Sequence, residues 1–276
     1  LAVLRALPAF EREGFAPWAA RYAARDALRG RGVRLSDGGE GQYGVAMLRR
    51  TALALVPLAV VAGAAGCSRT PDAAPPDQAL STAKQRLDEA STVHVELTSQ
   101  GVPKGKNGVT AAKGDGIVSA TQPKFEGEVT ATIQGNNGAV RIIAIGEKTW
   151  MSFFTEDYNP IDLSELGAPN PSGFFVPEKG LSRLLTETTG VSAGEAKRQG
   201  DTVLQTYSGA LPGAPVDDLL GLGDGKGTFQ VTYGIDQASG ELRTADISGP
   251  FWAGSTSTYT VKLSDYGKPV TIETPR

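Results

Sequence analysis

The chain has 276 residues, with 27 Lys and Arg against 30 Asp and Glu, which gives a formal net charge of −3. This mildly acidic balance argues against a nucleic-acid-binding surface. One Cys and one His exclude an intramolecular disulfide and a zinc cluster of Cys and His ligands. The single possible Cys–His nucleophile pair is Cys67 with His94.

Residues 1–46 differ in composition from the rest of the chain. They contain seven Arg and no Lys, whereas residues 67–276 contain eleven Lys and seven Arg. The first Met is Met47. We therefore expect Met47 to be the true start and residues 1–46 to be a non-native or mis-assigned extension.

Residues 47–66 have the pattern of a secretory signal peptide. Arg49 and Arg50 form a basic start, an apolar run covers residues 51–62, and small residues lead to Cys67. The run is shorter than the roughly 20 apolar residues that span a membrane. This pattern predicts export.

The ending Ala64-Ala65-Gly66-Cys67 resembles the bacterial lipobox. This resemblance implies that the Cys67 thiol receives a diacylglyceryl group and that the preceding peptide is removed. The mature protein would then be lipid-anchored on the extracytoplasmic face of the cell membrane, with residues 67–76 as a Pro-rich tether. Residues 67–276 contain 18 basic and 25 acidic residues, a net charge of −7, which does not imply a basic lipid-binding surface.

The first elements of the mature chain are a helix and a strand. Apolar residues at helical spacing predict an amphipathic helix over residues 77–90. Alternation over residues 92–98 predicts a half-buried strand, with His94 on its polar face.

Residues 125–153 read as a three-stranded meander. Asn137-Gly138 is a hairpin turn signal, which would place Ala131 opposite Ala144 and Ile133 opposite Ile142. A second turn at Gly146-Glu147 would pair Ile142 with Met151. One face would then contain Ala131, Ile133, Val140, Ile142, Ala144, Met151 and Phe153. This face could be packed core or could line a hollow, and periodicity alone favours core.

The remaining chain alternates strands with short helices. A long loop over residues 155–173 precedes a short helix marked by Leu181, Leu184 and Leu185. A second short helix begins near Pro215. Strands are predicted near residues 193–198, 203–207, 227–235, 241–248 and 256–265. Helices inserted in an antiparallel sheet predict an α+β fold.

Catalytic motifs are scarce in this sequence. The acidic doublets Glu156-Asp157 and Asp217-Asp218 place adjacent side chains in different directions, so neither forms a convincing acid–base pair. Neither a Walker motif, nor a Rossmann fingerprint after a strand, nor a Gly-x-Ser-x-Gly elbow is present. The chain is therefore not expected to be an enzyme, and no cofactor or metal is expected.

The order of these features resembles the LppX/LprA/LprF/LprG lipoproteins of mycobacteria and relatives. The resemblance is carried by the lipobox, the Val93-His94-Val95 strand, the meander ending near Trp150, the loop from Tyr158 to Leu181, and the ending Tyr259–Val270. It covers most of the mature chain, and the loop before Leu181 is most similar to LprG.

This family resemblance implies a strongly curved antiparallel β half-barrel with helices packed on its concave face around an apolar lipid cavity. Residues 77–276 would form a single lipid-binding domain. The cavity would be lined by the meander face together with Leu181, Leu184 and Leu185, and bulky substitutions at Ala131 or Ala144 would enter free volume.

The implied ligands are multi-acylated glycolipids of the phosphatidylinositol mannoside or lipoarabinomannan type. The protein would carry them from the plasma membrane toward the outer envelope, and a membrane efflux transporter would be a partner. Two other hypotheses stay open: a partner-binding or assembly module beside a membrane transporter, without a lipid ligand of its own, and a lipid hydrolase or transferase. Lipid that co-purifies with the domain separates the carrier from the module, and turnover of that lipid separates the carrier from the enzyme.

Overall fold

The computed structural model describes residues 73–133, 136–153, 156–222 and 225–276. The predicted extension, the predicted signal peptide and Cys67 lie outside these residues. Pro71–Arg276 form one compact unit. Its hydrophobic core is internal, so this unit is expected to fold on its own. Within the described ranges, no helix has the length and apolar character needed to span a membrane.

Eleven strands form a curved, unclosed sheet in which every neighbouring pair is antiparallel. The spatial order is β6-β5-β4-β3-β2-β1-β11-β10-β9-β8-β7, so β6 and β7 are the edges. The strands are β1 Thr92–Gln100, β2 Gly108–Ile117, β3 Lys124–Ile133, β4 Asn136–Ile145, β5 Lys148–Ser152, β6 Asn159–Ile161, β7 Thr189–Gln199, β8 Thr202–Pro212, β9 Thr228–Asp236, β10 Leu242–Trp252 and β11 Ser255–Ser264. The predicted curved α+β architecture is confirmed.

Three α-helices cover the concave face: α1 Pro76–Asp88, α2 Leu181–Glu187 and α3 Gly213–Leu220. Two 3₁₀ helices, Leu163–Leu166 and Pro171–Phe175, lie between β6 and α2. Pro76 occupies the first turn of α1, where its missing N–H has no partner to lose. The predicted helices at residues 77–90 and 181–185 are confirmed, and α3 begins two residues before Pro215.

The main core lies between the helices and the sheet. Each helix contributes one apolar face, for example Leu87 from α1, Leu184 from α2 and Val216 from α3. The central strands contribute alternate side chains, because successive residues of a strand point to opposite faces. The fully buried aromatic residues of this core are Tyr207, Phe229, Tyr233, Phe251 and Tyr259.

The predicted turn at Asn137-Gly138 is wrong. Ile133 pairs with Asn136, which leaves only positions 134 and 135 to connect β3 with β4. Ala131 therefore lies opposite Gly138, and Ala144 lies opposite Phe125. The observed register places Phe125 opposite Ala144 within the main core, and this buried packing outweighs the local turn preference of Asn-Gly.

The register error preserves the predicted face. The observed pairing differs from the predicted one by six positions along β4, and an even shift keeps each side chain on the same side of the sheet. The second predicted pairing, Ile142 with Met151, is confirmed.

Candidate functional site

The predicted lining residues are distributed over two apolar clusters. Ala144, Leu181, Leu184 and Leu185 belong to the main core between the helices and the sheet. Ile142 and Met151 belong to a second cluster with Leu163 of the first 3₁₀ helix. Val129 packs against both clusters, so the two form one continuous apolar band across the concave face.

The four other predicted lining residues, Ala131, Ile133, Val140 and Phe153, belong to or follow strands β3, β4 and β5. Val140 is partly buried and packs on the second cluster. Ala131 is partly buried beside Gly138, and only the backbone of Ile133 is described. Phe153 follows the last residue of β5 and is 41% exposed, so it does not line the band in this structure.

A pair of stacked aromatic rings fills the middle of the band. The Phe125 and Phe175 rings are nearly parallel, with centroids 6.0 Å apart. Phe125 lies over two cross-strand glycines: a Cβ at Gly127 would be 2.7 Å from its ring, and one at Gly114 would be 2.8 Å away. A Cβ at Gly116 would collide with the Phe175 ring. The glycines thus form a hollow in the sheet that these two rings occupy.

The expected free volume at Ala144 is not observed. Ala144 is fully buried in the main cluster directly opposite Phe125. Side chains from all three helices fill the concave face. The apolar space is therefore closed in this structure, and a ligand could enter it only if the helices or the aromatic rings moved.

Helix α2 is fixed to the sheet by a buried hydrogen-bond network. The Leu184 carbonyl accepts from the Tyr233 hydroxyl at 3.0 Å and from the Thr188 hydroxyl at 2.7 Å. The two hydroxyls are 2.8 Å apart. Burial raises the pKa of Tyr233, so the phenol stays protonated and can donate. This network satisfies a carbonyl at the end of α2.

Helix α1 is linked to the segment before α2 by charged groups. Lys84 Nζ lies 2.7 Å from Asp88 and 3.6 Å from Glu178. The hydrogen bond to Asp88 raises the pKa of Lys84. The Glu178 N–H donates to Asp88 Oδ1 at 3.1 Å, although Glu178 has a φ of 64°, a conformation unfavourable for a residue with a Cβ.

Helices α2 and α3 are joined at the surface. Arg183 of α2 donates to Asp218 of α3 at 3.0 Å and to Glu187 of its own helix at 3.3 Å. The hydrogen bond with Asp218 raises the pKa of Arg183. Asp218, a member of an acidic doublet, therefore serves as an ion-pair partner. Exposed pairs of this kind contribute little stability, so they can be broken at small cost.

A cleft of about 710 Å³ lies at the β6 edge, next to the second cluster. Leu163, Ile161 and Ala168 contribute to both the cleft and the cluster. Its polar lining includes Asp162, whose pKa is lowered by the hydrogen bond from Ser164. Trp150, Glu147, Lys148 and Asn170 line the rest of it. The volume is within the range of small-ligand sites.

The single histidine lies away from this apolar band. His94 Nδ1 is 2.7 Å from Asp115 Oδ1. His94 alternates with the inward-facing Val93 and Val95, and Asp115 alternates with Gly114 and Gly116, so both side chains lie on the opposite face of the sheet. Within the described ranges, no three metal-ligating side chains come together.

Several residues of the band were not identified from the sequence. Phe125 begins the strand alternation that defines the meander, yet its role over the glycines depends on β2, a strand that was not predicted. Phe175 lies in the long loop, where no periodicity marks it. Leu163 likewise lies in that loop, and its apolar character was the only available signal.

The chain is similar to known proteins in both sequence and fold. The sequence model of the LppX_LprAFG lipoprotein family matches residues 75–272. A search of curated protein sequences gave no match. The matched range contains all eleven strands and the whole of α1.

Two solved structures show the same fold. LprF from Mycobacterium bovis is similar with a TM-score of 0.62 and 16% identity, over 72% of this chain and 96% of that chain. The lipoprotein LppX from Mycobacterium tuberculosis is similar with a TM-score of 0.51 and 21% identity, over 72% of this chain and 98% of that chain.

Proposed function

This chain belongs to the LppX_LprAFG lipoprotein family, and from that premise we propose that it is a lipid carrier. Its ligand would be a multi-acylated glycolipid or lipoglycan, of the phosphatidylinositol mannoside or lipoarabinomannan type. The acyl chains would lie between the concave face of the sheet and the three helices. The protein would be lipid-anchored through Cys67 on the extracytoplasmic face of the cell membrane.

The observation that carries this proposal is the continuous apolar band on an unclosed sheet. Val129 connects the main core to the Ile142–Met151 cluster, so apolar side chains extend without interruption from the helices to the β6 edge. A band of this kind fits an extended hydrocarbon chain.

Helices α1 and α3 are better suited to move away from the sheet than α2, which the buried Tyr233 and Thr188 hydroxyls hold in place. The two contain only 13 and 8 residues, and the surface ion pair Arg183–Asp218 connects α3 with α2. Opening the glycine hollow would also require the Pro171–Phe175 3₁₀ helix to withdraw the Phe175 ring and the Phe125 side chain to rotate. Acyl chains would replace these contacts, and the exchange of one apolar surface for another costs little free energy.

The β6-edge cleft is the place we propose for the polar head group. It adjoins the apolar band through Leu163 and offers an indole ring, carboxylates and amides, groups that bind sugar hydroxyls. A ligand with its chains in the band would present its head group there.

An apolar binding space that excludes water has a clear physical purpose. Each methylene transferred from an apolar environment to water costs about 0.8 kcal/mol, so a free lipid with two or three long chains would cost tens of kcal/mol. Transfer toward the outer envelope therefore needs a carrier, and a membrane efflux transporter would be its partner.

Lipid extraction tests this proposal. Residues 71–276, produced in an actinobacterial host, should yield about one glycolipid per chain by mass spectrometry. If no stoichiometric lipid is found, and if the delipidated domain also fails to take up added phosphatidylinositol mannoside, the carrier proposal is wrong. The assembly-module hypothesis would then be the better account.

A further inference from the structure

One end of the sheet combines exposed lysines with aromatic side chains. At this end β1 ends at Gln100, β2 begins at Gly108, and β10 ends at Trp252. We call this end the rim and define it by Lys104, Lys106, Phe153, Lys226 and Trp252.

The loop that carries Lys104 and Lys106 is held beside Trp252. The Gly101 carbonyl accepts from the Ser257 hydroxyl at 2.8 Å, which fixes the start of the loop to β11. At the other end of the loop, a Cβ at Gly108 would be 3.2 Å from the Trp252 indole. The two lysines therefore project from the same end of the sheet as a partly exposed tryptophan.

Two further side chains extend this surface. Gly227, which follows Lys226, lies against Pro250, because a Cβ at that glycine would be 3.2 Å from the proline ring. Phe153 follows β5, whose last residue pairs with Arg141 in the middle of β4, so β5 runs toward this end of the sheet but stops short of it. Among the described residues it is the one large apolar side chain classed as exposed.

The part of the rim around Lys104, Lys106 and Trp252 is locally positive on an acidic protein, because residues 101–108 and 250–256 contain two lysines and no acid. Near Phe153 and Lys226 the sequence also carries acids, namely Glu156, Asp157 and Asp224, so the positive charge of the rim is that of Lys104 and Lys106. Lys104 and Lys106 are exposed, and neither is paired with a described carboxylate. The opposite end carries both signs together, as in Arg243 with Glu241 and Lys268 with Asp265.

We infer that the rim is a docking surface for an anionic lipid bilayer. Tryptophan and phenylalanine enter the interfacial region of a bilayer, and adjacent lysines contact anionic head groups. Because residues 67–276 carry a net charge of −7, an anionic membrane repels most of the molecule and favours the orientation that presents Lys104 and Lys106. This membrane contact does not require the proposed anchor at Cys67. It would position the domain for lipid exchange with the bilayer, and that purpose rests on the proposed function, whereas the contact itself does not.

Vesicle binding by residues 71–276, which lack Cys67, tests this inference. The domain should co-sediment with phosphatidylglycerol-rich vesicles at low salt, and much less with phosphatidylcholine vesicles. The double variant Lys104→Glu/Lys106→Glu should bind at least thirtyfold more weakly, on the order expected for losing two lysines at the surface. The matched control is Lys197→Glu/Arg198→Glu, which makes the same charge change at the far end of the exposed strand β7.

Tryptophan fluorescence gives a second readout. In the Trp150→Phe domain, Trp252 is the sole tryptophan, and brominated lipids should quench its emission. Equal binding losses in the two double variants, absent binding of the unmodified domain to anionic vesicles, or a Trp252 emission that brominated lipids leave unchanged would each overturn the inference.

Uptake of phosphatidylinositol mannoside from detergent micelles separates this inference from the proposed function. Lys104→Glu/Lys106→Glu should take up the lipid normally from micelles, because no bilayer is involved. A domain that binds vesicles through these lysines yet never takes up lipid would refute the carrier proposal and leave the docking surface intact.

Discussion

Small residues of the meander have opposite environments despite their common face. Ala144 is fully buried opposite Phe125, whereas Ala131 is partly exposed near the end of the hairpin. A tryptophan at position 144 would collide with the packed core, and overpacking of this kind costs about 1 to 3 kcal/mol. We therefore expect Ala144→Trp to lower the free energy of unfolding by that amount in urea denaturation of the delipidated domain.

Ala131→Trp is the matched control for this substitution. It adds the same side chain to the same strand face, but in a place with access to solvent. Its unfolding free energy should change by less than about 1 kcal/mol. Equal stability of the two variants would mean that the space around Ala144 is open and that the core is not closed as described.

Buried tyrosines should limit stability at alkaline pH. Burial raises the pKa of Tyr259 to about 12, and its hydroxyl donates to the Val109 carbonyl at 2.9 Å. In the unfolded chain a tyrosine has a pKa of about 10. The folded state thus holds this proton more tightly, so the stabilisation is complete below about pH 10 and is lost as the pH rises through about 12.

Phenolate absorbance during an alkaline titration measures this effect. The phenolate of the buried tyrosines should appear together with the loss of near-ultraviolet circular dichroism, and Tyr259→Phe should reduce the phenolate signal. Titration of all tyrosines near pH 10 in a domain that keeps its folded spectrum would contradict the assignment.

Among the secondary-structure elements, α1 is the one whose movement can be tested most sharply. A Cβ at Gly240, in the β9–β10 turn, would be 3.9 Å from the Thr82 Cβ of α1. This separation suits a disulfide, although the φ of Gly240, 73°, strains a cysteine at that position, so the reduced double variant is the reference for uptake. Residues 71–276 contain no other cysteine, so Thr82→Cys/Gly240→Cys can be oxidised without competing thiols. We expect oxidation to slow uptake of phosphatidylinositol mannoside at least tenfold, because α1 is then fixed to the sheet, and reduction to restore it.

The control disulfide lies within the sheet. Gly234 pairs with Thr244, and a Cβ at this glycine would be 3.6 Å from the Thr244 Cβ. Gly234→Cys/Thr244→Cys joins β9 to β10 and involves no helix. Its oxidation should leave uptake unchanged. Uptake that is insensitive to both disulfides would show that lipid enters without movement of α1.

The sequence predicts helices and strands well where apolar side chains recur with the period of a helix or a strand. Helix α1 and strand β1 follow directly from their apolar spacing. Strand β2 was missed because Gly114, Gly116 and the adjacent alanines lack the β-branched and aromatic residues typical of strands. Glycine is required at these positions because the Phe125 and Phe175 rings lie against them. Both rings belong to other elements, so nothing in the sequence of β2 itself indicates the contact.

The pairing register of β3 and β4 was harder to predict than the sheet face on which each side chain lies. The Asn137-Gly138 signal is local, but the observed ladder pairs both residues with β3, including a hydrogen bond from Thr132 to the Asn137 side chain. Which of two adjacent turn candidates is used depends on the total pairing of both strands. Alternation alone fixes only the face, and that part of the prediction is confirmed.

At the scale of the whole molecule, the strand order could not be derived from local patterns. Strand β1 pairs with β11, the last strand in the sequence, and this pairing joins the two halves of the sheet. Only resemblance to a known family indicated the curved architecture. Whether the apolar space is open or closed also lay beyond the sequence, because it depends on how three helices pack together on one face.

The central claim is that lipid acyl chains occupy the apolar band between the helices and the concave face. Photo-crosslinking with a phosphatidylinositol mannoside that carries a diazirine in one acyl chain tests it most directly. Residue-level mapping should place the crosslinks on concave-face side chains such as Val129, Ile142 and Phe175. Crosslinks confined to the opposite face, at Glu126, Glu128 or Thr130, or an absence of crosslinks from a lipid that co-purifies with the domain, would contradict the account.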